Sequence, residues 1–276
     1  MGGTVGRARS EVAPQPPYCL SVGSWCAELL PCNPYVAAYT AKKPIVGFAF
    51  DGQVGIHAFG SDRKVAFRAK PNGLAYVPAG CDVYSQSECG GEYLRIIFEH
   101  EDCEPWPHAL RFGDVIDEVA IDAAQRLRRR LLASDHVDEL KCEQFVHALK
   151  ERAARVLRGA FFERNAGSWM TPRRFRLVDE LIEAKLNRRV TVQELAAALQ
   201  LSVGFFCRAF RASIGKSPHD YIIDRRVSRA RALLRDRALD LSTIAHASGF
   251  ASHGHMTSTF RSRIGITPSD LRTTLT

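Results

Sequence analysis

Between residues 44 and 99 apolar and polar positions change places with a period near two. Ile45 to Phe50 is a short apolar run, and Asp51-Gly52 after it reads as a hairpin turn. Val54, Ile56 and Ala58 alternate with Gln53, Gly55 and His57. Val65, Phe67 and Ala69 alternate with Lys64, Arg68 and Lys70, with Ala66 breaking the polar row. Asn72-Gly73 is a second hairpin signal before Leu74-Ala75-Tyr76-Val77, which stops at Pro78-Ala79-Gly80. Leu94, Ile96 and Phe98 make one face of a last strand. Several short strands at close turn spacing predict a sandwich or a small β-barrel.

The period then lengthens. Val115, Val119, Ala123, Leu127 and Leu131 recur every fourth residue. Cys142, Phe145, Val146, Leu149, Ala153, Val156 and Leu157 follow the spacing of a helix face. Two antiparallel helices are expected here, packed on the barrel or on their copies in a second subunit. Arg126 to Arg130, broken by Leu127, has the look of a nucleic-acid patch, but a solvated helix face is the reading adopted. Asn165-Ala166-Gly167-Ser168 and Thr171-Pro172-Arg173-Arg174 interrupt the pattern and mark a linker over 165–174. Helix resumes with Phe175, Val178, Leu181, Ile182 and Leu186 on one face.

The next segment is the informative one. Thr191-Val192-Gln193-Glu194 is a capping box that opens a short helix with Leu195, Ala196 and Leu199 inward. Gln200-Leu201-Ser202 is the turn, and a second helix, Val203 to Ile214, buries Phe206 and Phe210. Helix, tight turn and helix over 192–213 is a helix-turn-helix unit, whose second helix can enter a major groove. The pattern recurs over 242–264. Ile244-Ala245 matches Leu195-Ala196, Gly249 to Ser252 is a turn one residue longer, and Met256 and Phe260 stand for Phe206 and Phe210. Ile214-Gly215-Lys216-Ser217-Pro218-His219-Asp220 parallels Ile264-Gly265-Ile266-Thr267-Pro268-Ser269-Asp270. Between the motifs, Tyr221 to Leu234 reads as one long helix carrying Arg225, Arg226, Arg229 and Arg231.

Charge supports this division. Of the 276 residues, 1–165 hold 20 basic and 21 acidic side chains, and 166–276 hold 18 and 9. A basic C-terminal third beside a near-neutral remainder suggests a polyanionic partner on one side only. No apolar run is long enough to span a bilayer, and Ala13-Pro14-Gln15-Pro16-Pro17 follows the start where a secretion signal would need an apolar stretch. A cytoplasmic protein, nucleoid-associated when bound, is expected. The eight cysteines form no Cys-x-x-Cys pair, so reduced, mostly buried thiols are expected, with Cys81/Cys89 as the sharper redox alternative. His57 is the one histidine in the strand region, so neither a metal nor another cofactor is expected. No nucleophile system is legible, and none of the cysteines sits in the Pro-Cys-His-Arg setting of an alkylation-repair methyltransferase, so the chain is read as no enzyme.

Residues 175–272 resemble the DNA-binding domain of the AraC/XylS family of bacterial regulators. The resemblance is carried by Leu201-Ser202, Arg208-Ala209-Phe210-Arg211, Gly215-Lys216-Ser217-Pro218, the Arg226–Leu234 helix, Ile244-Ala245, Gly249-Phe250, Phe260-Arg261 and Gly265-Ile266-Thr267-Pro268. Val77-Pro78-Ala79-Gly80 carries a looser likeness to the family's sensor region. The resemblance implies promoter DNA and RNA polymerase as partners, activation of transcription, and an N-terminal domain that binds an effector, dimerises, or both. The fold expected is α+β. A tail and lead-in cover 1–43, a cupin-like barrel with two helices 44–164, and the all-α DNA-binding domain 175–276. The exposed faces assign DNA contact to Gly204, Cys207, Arg208 and Arg211 in the first motif. In the second they assign it to His253, Gly254, His255, Thr257, Ser258 and Arg261. The family commonly has a basic residue at Ser258 and an aromatic at Met256, so the first reading helix is expected to dominate, with Arg208 as the leading base contact. His57, Tyr76 and Tyr84 are the candidate effector ligands. The alternative is a regulator controlled by protein partners or oligomerisation, with no small-molecule ligand.

Overall fold

The computed structural model describes residues 18–99, 106, 110–133, 138–159 and 169–274. Residues 1–17, Cys103 and the linker residues 165–168 lie outside them. The strands are β1 (Tyr18–Val22), β2 (Trp25–Leu30), β3 (Tyr35–Thr40), β4 (Ile45–Ala49), β5 (Gln53–Phe59), β6 (Val65–Ala69), β7 (Gly73–Val77), β8 (Asp82–Ser87), β9 (Tyr93–Phe98) and β10 (Phe112–Ile116). They form a six-stranded sheet, β1-β2-β9-β4-β7-β10, and a four-stranded sheet, β3-β8-β5-β6. Every pairing is antiparallel.

The expected barrel is corrected to two open sheets. The reason lies in the two turns read as hairpins. Asp51-Gly52 joins β4 to β5, yet β4 pairs with β7 and β9 while β5 pairs with β6 and β8. Asn72-Gly73 joins β6 to β7, again in different sheets. Both turns hand the chain from one sheet to the other and leave β1, β10, β3 and β6 as edges. Asn72 makes its crossing in the left-handed region, φ 63°, a conformation asparagine tolerates. The lead-in is also corrected, since 18–40 holds three strands. Trp25, Ala27 and Leu29 are buried at a period of two, a signal present but too short to stand out.

One face of the larger sheet presents Trp25, Leu29, Phe48, Leu74, Tyr76, Leu94, Ile96 and Phe98 to the main core. The helices α1 (Glu118–Leu132) and α2 (Glu139–Leu157) pack there, through Ala120, Ala124 and Leu127 and through Cys142, Val146 and Leu149. Val115 falls on β10, and Val119 is exposed, so they are not part of this stripe. The other face meets the smaller sheet through a polar layer. The Tyr35 hydroxyl reaches Gln53 at 3.1 Å and Ser85 at 3.0 Å, and Arg95 pairs with Glu28 at 2.5 Å. On β5 Gln53 is buried while Val54 and Ile56 are exposed, so the first two positions of the apolar row point outward, and only its last, Ala58, is buried.

The C-terminal helices are α3 (Pro172–Ala184), α4 (Val192–Ala198), α5 (Val203–Ile214), α6 (Pro218–Leu233), α7 (Leu241–Ala247), α8 (His253–Ile264) and α9 (Pro268–Thr274). They divide between two cores. Phe175, Val178, Ile182, Leu195, Phe206, Phe210 and Tyr221 form a small one around α3, α4 and α5. Ile244, Phe250, Met256, Phe260 and Ile264 join the main core that also contains the sheet and α1.

Candidate nucleic-acid interface

Each motif is built from its ends inward. Thr191 and Glu194 close a capping box on α4, with Thr191 N–H donating to Glu194 at 2.9 Å and Glu194 N–H donating back at 3.2 Å. The Thr191 N–H, helped by Lys185, holds the Glu194 carboxyl down at about 2. Asp240 caps α7 by accepting from Thr243 N–H at 2.6 Å. Ser202 and Ser252 cap α5 and α8, accepting from Phe205 and His255 N–H. Gly215 and Gly265 end them in the left-handed region at φ 74° and 86°.

The two turns share one hydrogen bond, although the second is a residue longer. Leu201 N–H donates to Ala196 O at 3.0 Å, and Phe250 N–H donates to Ala245 O at 2.9 Å. Gln200 and Gly249 take the same left-handed place, φ 56° and 83°. Only the second needs glycine for space as well, since a Cβ there would stand 2.0 Å from Leu186 O.

The long helix α6 is the spine. Tyr221 donates to Asp179 at 2.7 Å and Arg225 to Glu183 at 2.7 Å, fixing α3. Arg226 donates to the carbonyls of Leu186 and Arg188 in the turn after α3. Arg263, from the end of α8, reaches Asp220 at 2.5 Å. Arg231 pairs with Glu92, which is fully buried and also lies 2.5 Å from Arg128 of α1. Of the four arginines read on this helix, three therefore serve the fold, and Arg229 alone is exposed. Arg128 belongs to the run read as a solvated face; it is corrected to a buried residue stacked on Phe50 and paired with Glu92.

The expected contact faces of α5 and α8 remain open. Gly204, Arg208 and Arg211 are exposed on α5, and Cys207 is partly buried against the small core. The Arg208 guanidinium lies back along α5, 3.6 Å from where Gly204 would carry a Cβ. On α8, His253, Gly254, His255, Ser258 and Arg261 are exposed and Thr257 is half-buried. Their chemistry is turned partly inward. Ser258 donates to His255 O at 3.0 Å, and the His255 ring stands edge-on against Phe250 at 5.6 Å. The Thr257 hydroxyl is buried with no partner among the described residues.

The three candidate effector ligands are not brought together. His57 lies in the inter-sheet layer, stacked on Phe67 at 4.7 Å, where burial and then Arg111 push its imidazole pKa down. Tyr76 is in the helix-side core against Trp106. Tyr84 borders an open groove of about 400 Å³ with Tyr39, Asp62, Lys64 and Asp82, with the Lys64 ammonium over its ring. Of the seven described cysteines only Cys142 is buried, which corrects the expectation of mostly buried thiols, and Cys81 and Cys89 are free thiols at opposite ends of β8. A strand of that length spans about 20 Å, well beyond disulfide reach, so the redox pair is ruled out. Among the described residues no cluster of His, Cys, Asp or Glu could hold a metal. No single described helix is long and apolar enough to cross a membrane.

The family model for a helix-turn-helix domain matches residues 195–274. The probable transcriptional regulator LumQ of Photobacterium leiognathi is 31% identical over 93 residues, covering 34% of this chain and 38% of LumQ. The chain belongs to the AraC/XylS family through this domain. A transcriptional regulator from Chromobacterium violaceum, described as containing an AraC-type DNA-binding domain, is 30% identical; the match covers 40% of this chain and 96% of that one, with a TM-score of 0.36. The AdpA DNA-binding domain, solved in complex with a target DNA, is 29% identical over 36% of this chain and 89% of that one, TM-score 0.34. The chain spans less than two fifths of LumQ and 27% of an AraC-like regulator from Streptomyces antibioticus. Both of these relatives are named as transcription regulators and neither as an enzyme, in agreement with the non-enzymatic reading.

Proposed function

We propose that this chain is a sequence-specific regulator of transcription that binds double-stranded promoter DNA through α5 and α8, with α5 dominant. The observation that carries the reading is the contrast of the two exposed faces. Arg208 and Arg211 stand free on α5, whereas Ser258 and His255 on α8 are engaged within their own motif. Arginine reads guanine with two parallel hydrogen bonds, which serine and a tethered histidine cannot supply. With Gly204 and Cys207 flanking, Arg208 sits at the middle of the contact, and His253, Gly254, Thr257 and Arg261 contribute backbone contacts and weaker readout. Activation through RNA polymerase and assembly as a homodimer complete this reading. Arg208→Ala is expected to cost about 1–3 kcal/mol in binding a selected duplex and to relax preference at one base pair. Competition binding with single-base variants checks it. Loss that is uniform across sequences would reassign Arg208 to phosphate.

For the N-terminal region the filled inter-sheet layer of Tyr35, Gln53, Ser85 and the Glu28–Arg95 pair favours control through protein contacts or oligomerisation. Small-molecule sensing retains the Tyr84 groove as its place. Footprinting upstream of the gene with and without candidate metabolites separates the two, because only sensing makes protection depend on the metabolite.

A further inference from the structure

Trp169, just ahead of α3, is 48% exposed, whereas Trp25 and Trp106, the other two tryptophans of the chain, are 7% and 9% exposed. The exposed indole is nonetheless fixed. It meets Phe205 of α5 edge-on, with centroids 5.2 Å apart. The Arg174 guanidinium lies 5.2 Å from its centroid and donates to the Trp169 carbonyl at 2.9 Å. A large aromatic held open to solvent has its ordering cost met in advance, as in the anchors of binding surfaces.

Its position identifies the occupant. Successive residues of a helix are roughly 100° apart, so Phe205 lies about 90° around from the line of Gly204, Arg208 and Arg211. The Trp169–Phe205 pair therefore continues the rim of the reading face. Arg173 and Arg176 are exposed beside it, and no acidic residue stands in the first turn of α3. Continuity with the reading face and this positive charge match a phosphate backbone, not an acid-seeking or purely apolar protein surface.

We propose that Trp169 and Arg174 form a lateral arm of the DNA interface. With α5 in a major groove, the indole lies against the sugar–phosphate strand bordering that groove and its N–H donates to a phosphate oxygen. Arg174 donates to a phosphate beside it. Such contacts fix register and add affinity without reading sequence. The inference rests on the DNA-binding reading above.

The test uses the full-length chain and a duplex it selects from a random pool, about 40 base pairs long to offer successive grooves. Trp169 is the exposed tryptophan, so acrylamide quenching of intrinsic fluorescence reports on it. The duplex is expected to remove the accessible component. Trp169→Ala is expected to weaken binding about tenfold, by the same factor on the selected and on a scrambled duplex, and Arg174→Ala to lower the slope of log affinity against log salt by about 1. Wild-type protein that binds the duplex while acrylamide still reaches Trp169 would overturn the arm and leave the DNA-binding reading standing. A chain that selects no duplex at all would overturn both.

Discussion

The first motif, α4–α5, closes a core of its own with α3 and the start of α6, while the second, α7–α8, shares a core with the sheet and α1. The two backbones repeat each other down to the turn hydrogen bonds. Their surroundings do not. At the end of α5 the N-terminal domain touches lightly, with the Asn72 amide donating to Ile214 O at 2.9 Å and Ile121 beside Gly215. At α8 and α6 it is joined through continuous apolar packing and the Glu92, Arg128 and Arg231 cluster. On the proposed reading, a motif with a core of its own is free to specialise in base contact, while one fused to the neighbouring core is placed where a change in that core would reach α8 directly.

The most severe way to break this division is to remove Glu92. Its burial alone would raise the carboxyl pKa, but Arg128 and Arg231 outweigh that and hold it below the usual carboxylate range. Glu92→Gln leaves two arginines facing each other in the core. Losing one partner of a buried ion pair costs about 3–5 kcal/mol. Thermal unfolding should show a large drop in midpoint, with the second motif and the N-terminal domain lost together. A variant as stable as the wild type would remove the cluster from the interdomain account. The pH dependence has a fixed sign. A carboxyl depressed in the folded state contributes stability above its unfolded value, near 4.3, and that stability is lost as pH falls through the folded value. The wild type should therefore lose an acid-sensitive increment of stability below about pH 4 that Glu92→Gln lacks.

This division was only half legible in the sequence. Both motifs were, because capping residues, small turn positions and buried aromatics repeat at fixed offsets, and local chemistry sets local backbone. The fusion of α8 to the N-terminal core was not, since it depends on Ile264 and Ile266 meeting α1 far away in the chain. Asp51-Gly52 and Asn72-Gly73 announced turns correctly but not their destination. A two-residue turn into a paired strand and one that crosses between sheets use the same residues. Alternation on β5 likewise marked a strand without saying which positions face inward, and there Gln53 is buried while Val54 and Ile56 are exposed. Arg231 and Arg128 looked like solvent or nucleic-acid charges because their partner, Glu92, lies more than thirty residues from the nearer of them. Trp169 gave no pattern at all, since it precedes the helix whose neighbour it packs on.

A gentler comparison exchanges the turn residues. Gly249→Ala places a Cβ against Leu186 O at a left-handed residue, and the backbone conformation alone costs about 1–2 kcal/mol before the clash is counted. The equivalent Gln200 already carries that conformational cost, so Gln200→Gly is expected to be neutral or to stabilise by up to about 1 kcal/mol. Chemical denaturation of both variants checks the pair. Equal losses would mean that the turns are equally crowded and that α3 does not press on the second motif.

The smallest expected effect bears most directly on recognition. Ser258 stands where family members commonly carry a basic residue, and its hydroxyl is returned to His255 O within α8. A hydroxyl satisfied by its own helix loses that bond if it turns to DNA, so its net gain on binding is small. Ser258→Ala should therefore change affinity for a selected duplex by less than about 0.5 kcal/mol, against 1–3 kcal/mol for Arg208→Ala. Ser258→Arg sharpens the point, since a guanidinium there can reach a phosphate and should tighten binding several-fold with a steeper salt dependence. If Ser258→Ala instead weakened binding as much as Arg208→Ala, α8 would be reading bases through that hydroxyl. The two motifs would then be equal partners, and the shared core of the second would have to be compatible with full insertion of α8 into its groove.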